Sequence, residues 1–120
     1  MKLAVIGSRS LKEILIENYI PQDVSEIVSG GARGIDTLAK EFAIKNGIKL
    51  TEFLPKYNLY GKGAPIERNE EIAYYADEVI AFWDGISKGT EYTVSFFRKL
   101  GKKATVIIVT PQKDCEPLKI

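Results

Sequence analysis

Histidine is absent from this 120-residue chain, and cysteine, methionine and tryptophan occur once each. Without histidine there is no ordinary general base, no imidazole metal ligand and no Ser-His-Asp or Cys-His relay. The lone Cys115 cannot close an intrachain disulfide, which suits a reducing cytoplasm, and with no base to activate it the thiol reads as idle. Long apolar runs are lacking too: none approaches the roughly 20 residues that span a bilayer. The opening "MKLAVIGSRS" is too short in its apolar part for a signal peptide and reads as a buried strand. Neither sign of charge dominates, since 17 Lys and Arg face 16 Asp and Glu, leaving a net +1 in an interspersed pattern. A duplex-DNA binder would carry a basic stripe, and none is evident. These absences imply a soluble cytoplasmic protein with no membrane partner, and metal ligation and cofactor chemistry find no motif.

What is present is an alternation of short apolar runs and helix-period segments. The length predicts one domain, residues 1–120. Candidate strands are "LAVIG" (3–7), "EIVSG" (26–30), "LTEFL" (50–54), "EVIAFW" (78–83) and "TVIIVT" (105–110), most of them near-continuous apolar runs as in parallel strands covered on both faces. Between them, Leu11, Ile14, Leu15 and Tyr19 share a helical face, as do Ile35, Leu38, Ala39, Phe42 and Ala43. Ile72, Ala73 and Ala76 mark a third helix, and Thr93, Phe96, Phe97 and Leu100 a fourth. Gly47 and Gly101 stand at expected C-caps. The pattern predicts an α/β fold, a Rossmann-like three-layer α/β/α sandwich on a five-stranded parallel sheet of order 3-2-1-4-5. The flavodoxin-like order 2-1-3-4-5 is the alternative.

Every strand-to-helix loop of such a sheet opens on its carboxyl edge, where these folds bind ligands. Three of those loops are glycine corners: "GSRS" (7–10), "GGARG" (30–34) and "DGISKGT" (84–90). Glycine allows tight turns and close approach, and each following helix start offers unpaired N–H groups and the positive end of its dipole. Gly7, Ser8, Gly30, Gly31, Ala32, Gly34, Gly85, Gly89 and Thr90 are therefore expected to form an anion-receptive crevice. "GGARGID" is neither a Walker A loop nor G-x-G-x-x-G. Arg9 and Arg33 lie inside the first two corners, at helix starts that call for a negative partner. Asp36 reads as a first-turn acid, with contact to the glycine loop or a ribose hydroxyl as its other reading. The third loop, "PKYNLYGKGAP" (55–65), exceeds the usual two to six residues and carries Tyr57 and Tyr60. It reads either as a lid that stacks a base or as a connector packed on the sheet. In "IERNEEI", Asn69 shares a face with Ile72, Ala73 and Ala76, so its amide is expected inward, with Arg68 one position round.

"GSR", "VSGGARGID", "YGKGAPIERNEEI" and "DGISKGT", in that order, resemble the SLOG superfamily over nearly the whole chain. That group includes the DNA-processing protein A core, the Lonely Guy phosphoribohydrolases and small stand-alone YpsA-related proteins, and the stand-alone branch is the most similar. The resemblance implies a homodimer that binds a nucleotide or nucleotide-derived ligand. Gly30, Gly31, Ala32 and Gly34 would contact phosphate, Arg68 would match an essential arginine, and Gly89 and Thr90 would align with a Gly-Thr turn. The two glutamates of the phosphoribohydrolase loop are replaced by Tyr92 and Thr93, with Glu91 one place early.

Two functions are thus expected. In one, a binding module with a sensor or regulatory role seats phosphate on the Gly30–Gly34 and Gly89–Thr90 corners. Arg68, Asn69, Ser8 and Arg9 close around it, and Tyr57 or Tyr60 stacks on the base. In the other, an N-glycosidase cleaves nucleoside monophosphates with Glu91 or Asp84 as the carboxylate and Arg68 on the phosphate. Single-stranded DNA binding is a weaker third reading.

Overall fold

The computed structural model describes residues 1–8, 10, 11, 14–31 and 34–109. Strands β1 (Lys2–Gly7), β2 (Glu26–Ser29), β3 (Lys49–Glu52), β4 (Glu78–Trp83) and β5 (Ala104–Ile108) pair in parallel throughout, in the order β3-β2-β1-β4-β5. This is the Rossmann-like order expected from the sequence, and the flavodoxin-like alternative does not apply. Cys115 and the end of the fifth predicted strand lie outside the described residues.

Alternation along the central strands feeds two cores. Leu3, Val5, Ile27, Ile80 and Phe82 pack with Ile35, Ala39 and Ala43 of α1 (Ile35–Lys45). On the other face, Ala4, Ile6, Val28, Val79 and Ala81 meet α3 (Ala64–Tyr75) and α4 (Lys88–Lys99) through Ile72, Ala73, Val94 and Phe97. Alanines on both sides of this second contact let α3 lie close to the sheet. Before α3 come a single turn, α2 (Tyr57–Tyr60), and a 3-10 turn at Gly61–Gly63, neither of which buries a residue. Both predicted glycine stops are present. After α1, Ile48 N donates to Ala43 O (2.9 Å) and Gly47 N to Ile44 O (3.3 Å). After α4, Lys102 N donates to Phe97 O and Gly101 N to Arg98 O, both at 3.0 Å. The end of α3 has no glycine. There Lys102 Nζ donates to the carbonyls of Ala73, Tyr74 and Ala76 at 2.8, 3.0 and 2.7 Å.

The first connection differs from expectation. Among the described residues between β1 and β2 there is no α-helix, only a 3-10 turn at Ile16–Asn18. Of the predicted face, Leu11 is buried and Ile14 half-buried, whereas Leu15 and Tyr19 are exposed. Ile14, Ile16 and Ile20 pack on the core instead, a phase set by irregular chain around the 3-10 turn rather than by an α-helix. Tyr19 still covers the sheet, edge-on to Phe82 with ring centroids 5.5 Å apart.

One buried carboxylate braces the amino edge. Glu26, at the start of β2, is 7% exposed and accepts hydrogen bonds from Thr51 Oγ1 and Tyr75 Oη, both at 2.6 Å, with Lys49 Nζ 3.8 Å away. Burial alone would push its carboxyl up. The Thr51 and Tyr75 hydroxyls and the charges of Lys49 and Lys2 more than offset this and hold it below the usual glutamate range. A carboxyl depressed in the folded state contributes stability above its unfolded pKa and loses it as pH falls through the folded value. Urea unfolding should therefore show stability falling from about pH 5 downward. Glu26→Gln should cost about 1–3 kcal/mol at pH 7 and flatten that acid limb; a variant with the wild-type acid limb would contradict the assignment.

Candidate functional site

Because strand order reverses between β1 and β4, the chain leaves these neighbours toward opposite faces and a crevice opens above their carboxyl ends. A cleft of 410 Å³ occupies it. Gly7 and Ser10 after β1, Gly30 after β2, Asp36 of α1, Arg68 and Asn69 of α3, and Asp84, Ser87, Gly89 and Thr90 after β4 all line it.

The wall contributed by α3 is organised by Arg68, which is 8% exposed. β2 and β3 end at Ser29 and Glu52, and Phe53 N adds one more rung to Ser29 O at 2.8 Å. Beyond that rung the carbonyls of Gly30 and Phe53 have run out of neighbouring strand. Arg68 Nη1 reaches over the sheet to both, at 2.7 and 3.4 Å, while Nε donates to Asn69 Oδ1 at 2.8 Å. A Cβ on Gly30 would overlap the guanidinium, so this glycine serves a close approach by Arg68. Gly7 serves another, because a Cβ there would overlap Ile35 and the Phe82 carbonyl. Arginine cannot accept a hydrogen bond, so the Asn69 atom facing Nε must be its oxygen. The Asn69 amide nitrogen is thereby turned the other way, and it has no partner among the described residues.

The opposite wall is a turn closed by Asp84. Its Oδ1 accepts from the N–H groups of Ile86 (2.9 Å) and Ser87 (2.8 Å), and its Oδ2 from Ser10 Oγ (3.3 Å). Ser8, buried beneath, accepts from Asp84 N at 3.1 Å. The Ser87 and Ile86 amides, chiefly, hold the Asp84 carboxyl below the usual aspartate range. This turn aims the start of α4 at the cleft. The first helical bond there runs from Glu91 N to Ser87 O (3.3 Å), and Ser87 makes no side-chain cap, so the N–H groups of Lys88, Gly89 and Thr90 precede the helical ladder. Thr90 is 6% exposed, yet its hydroxyl has no hydrogen-bond partner among the described residues. By contrast Thr93, one turn on, is satisfied by Gly89 O at 2.9 Å.

Of the residues singled out in the sequence, Gly7, Gly30, Asp36, Arg68, Asn69, Asp84, Gly89 and Thr90 meet in this cleft. Ser8 supports it from below. Gly31, Gly34 and Gly85 turn the chain at positive φ without lining it. Arg9, Ala32 and Arg33 lie outside the described residues. Tyr57 and Tyr60 are exposed on α2, away from the lining. Glu91 is exposed, since Thr90, Thr93, Val94 and Phe97 take the inward face of α4 and the next position points outward. Tyr92 donates instead to Glu70 of α3 and stacks near Phe96. Sequence reasoning missed Ser10, Ser87 and Thr93. The signal for the last was available, as Thr93 follows Thr90 by three residues. No group of three or more His, Cys, Asp or Glu among the described residues could hold a metal ion, and no described helix is long and apolar enough to cross a membrane.

Asp84→Ala should cost about 1–2 kcal/mol by freeing the turn. Asp84→Asn, which keeps one acceptor oxygen, should cost less. Urea denaturation at pH 7 checks the ranking, and equal losses would mean the Oδ1 bonds do not hold the turn.

No protein-family model matches the chain, and neither does any curated protein or solved structure.

Proposed function

We propose that the cleft binds a phosphorylated, nucleotide-derived small molecule and that the protein acts as a binding or sensing module. The observation that carries this reading is the buried Thr90 hydroxyl, which has no partner among the described residues and sits beside the open first turn of α4. A hydroxyl on the cleft wall that no described protein group engages is available to bond a ligand oxygen. The first-turn amides at Gly89 and Thr90, the Thr90 hydroxyl and the Asn69 N–H₂, all from residues of the cleft lining, would make a donor set for a phosphate, reinforced by the dipole of a twelve-residue helix. On the β1 and α1 side of the cleft, the carboxylate of Asp36 brings an acceptor group toward the place an attached sugar would take. This placing of donors and acceptors, together with the likeness to nucleotide-binding proteins in the glycine corners, favours a phosphorylated sugar or nucleotide over a bare anion.

Binding is favoured over cleavage by the state of the acids. An N-glycosidase needs a carboxylate at the anomeric carbon with a water beside it. Glu91 is exposed outside the cleft, and Asp84 is engaged by the turn that it closes.

Thermal unfolding and calorimetry with inorganic phosphate and the common nucleoside monophosphates test this. Saturable binding is expected, with an apparent stabilisation of about 2.7 kcal/mol at a hundred times Kd, and no free base on chromatography. Thr90→Val should leave unfolding stability unchanged or raised, because the hydroxyl it removes is unpaired among the described residues, yet weaken binding about tenfold. A panel that shifts nothing, or a Thr90→Val variant that binds as well as wild type, would overturn the reading.

A further inference from the structure

We propose that Arg68 is a positioning residue: it holds the Asn69 amide with its N–H₂ toward the cleft and leaves the ligand contact to Asn69. The functional consequence rests on the anion-binding reading above; the geometry does not. The guanidinium is buried, and its bonds include those to two backbone carbonyls and to Asn69 Oδ1. A residue meant to carry phosphate directs its fork at the anion. Here Nη1 is turned to the ends of two strands, and the Nε bond sets which way the neighbouring amide faces. Fixing that amide before a ligand arrives removes the ordering that a free asparagine would otherwise undergo on binding. Lysine cannot replace it, since one ammonium on a flexible stem does not reach two carbonyls and an amide in a fixed plane.

Gly30 extends the inference. Its missing side chain is the space the guanidinium occupies, so Gly30→Ala should displace Arg68 and disturb Asn69 from the far side of the contact. In an Arg68→Met background the same glycine substitution should add little, because the obstacle has gone.

The test has a spectral arm and a binding arm. In ¹⁵N-labelled protein the Asn69 side-chain N–H₂ signals should be dispersed in the wild type. They should move to mobile-asparagine positions in both Arg68→Lys and Gly30→Ala, while backbone amides of β1 and β4 keep their shifts. Calorimetry with inorganic phosphate should show about tenfold weaker binding for Arg68→Lys, with no further loss when it is placed in an Asn69→Ala background. The salt dependence should be that of the wild type. Asn69→Asp, which still accepts from Nε but has no N–H₂, should stay folded and lose at least about tenfold. Unchanged Asn69 signals in both Arg68→Lys and Gly30→Ala would overturn the inference. So would an Arg68→Lys loss that persists undiminished without Asn69 and comes with a flatter salt dependence, the signature of direct phosphate contact. If Arg68→Lys fails to fold, Gly30→Ala carries the spectral arm. Absence of phosphate and nucleotide binding by the wild type counts against the proposed function, while the spectral arm still decides the role of Arg68.

Discussion

A charge taken out of water must be met by acceptors, and in this molecule those acceptors include the carbonyls with which two strands end. Gly30 and Phe53 stand just past β2 and β3, where the ladder stops and their carbonyls no longer meet a strand neighbour. Arg68 answers both needs at once: the strand ends solvate the guanidinium, and the guanidinium completes the strand ends. The glycine at residue 30 and the orientation of the Asn69 amide both follow from that contact. Breaking a buried charge from its partners is far more damaging than never having placed it there, so the contact constrains the wall of the cleft as firmly as an apolar core would.

The cleft is divided by chemistry as well as by shape. Helix α4 presents donors, arranged by a turn whose own carboxylate is consumed in building it. The β1 and α1 side presents Asp36. For the guest proposed above, anionic at one end and hydroxylated at the other, such a division would set its orientation in the cleft.

Much of the fold was legible because β1 and β4 are covered on both faces, which leaves continuous apolar runs at 3–6 and 79–82 that only a parallel sheet explains economically. The edge on which the site lies followed from the alternation of elements. The reasons for individual residues were harder to read. Gly7 and Gly30 looked like sources of open backbone, but their missing Cβ atoms admit Ile35 and Arg68, and one sequence does not say which distant side chain fills such a space. The segment after β1 misled because Leu11, Ile14, Leu15 and Tyr19 fit a helical face, whereas the chain there seats Ile14, Ile16 and Ile20 on the core around a single 3-10 turn. Glu91 was placed near the ligand by likeness of motif; its phase on α4, one residue past Thr90, sends it outward.

The layer of alanines between α3 and the sheet has a mechanical consequence. Ala73 and Ala76 press against a surface that includes Ala4 and Ala81, so the helix has almost no cushion beneath it. Asn69 lies one turn above Ala73, about 6 Å along the axis. A wedge of a single extra methyl group that rocked α3 by about 10° would swing the amide through about 1 Å, enough to spoil a hydrogen bond. Core volume one helical turn below the cleft is thus a tuning screw for its geometry, and small residues there set the zero.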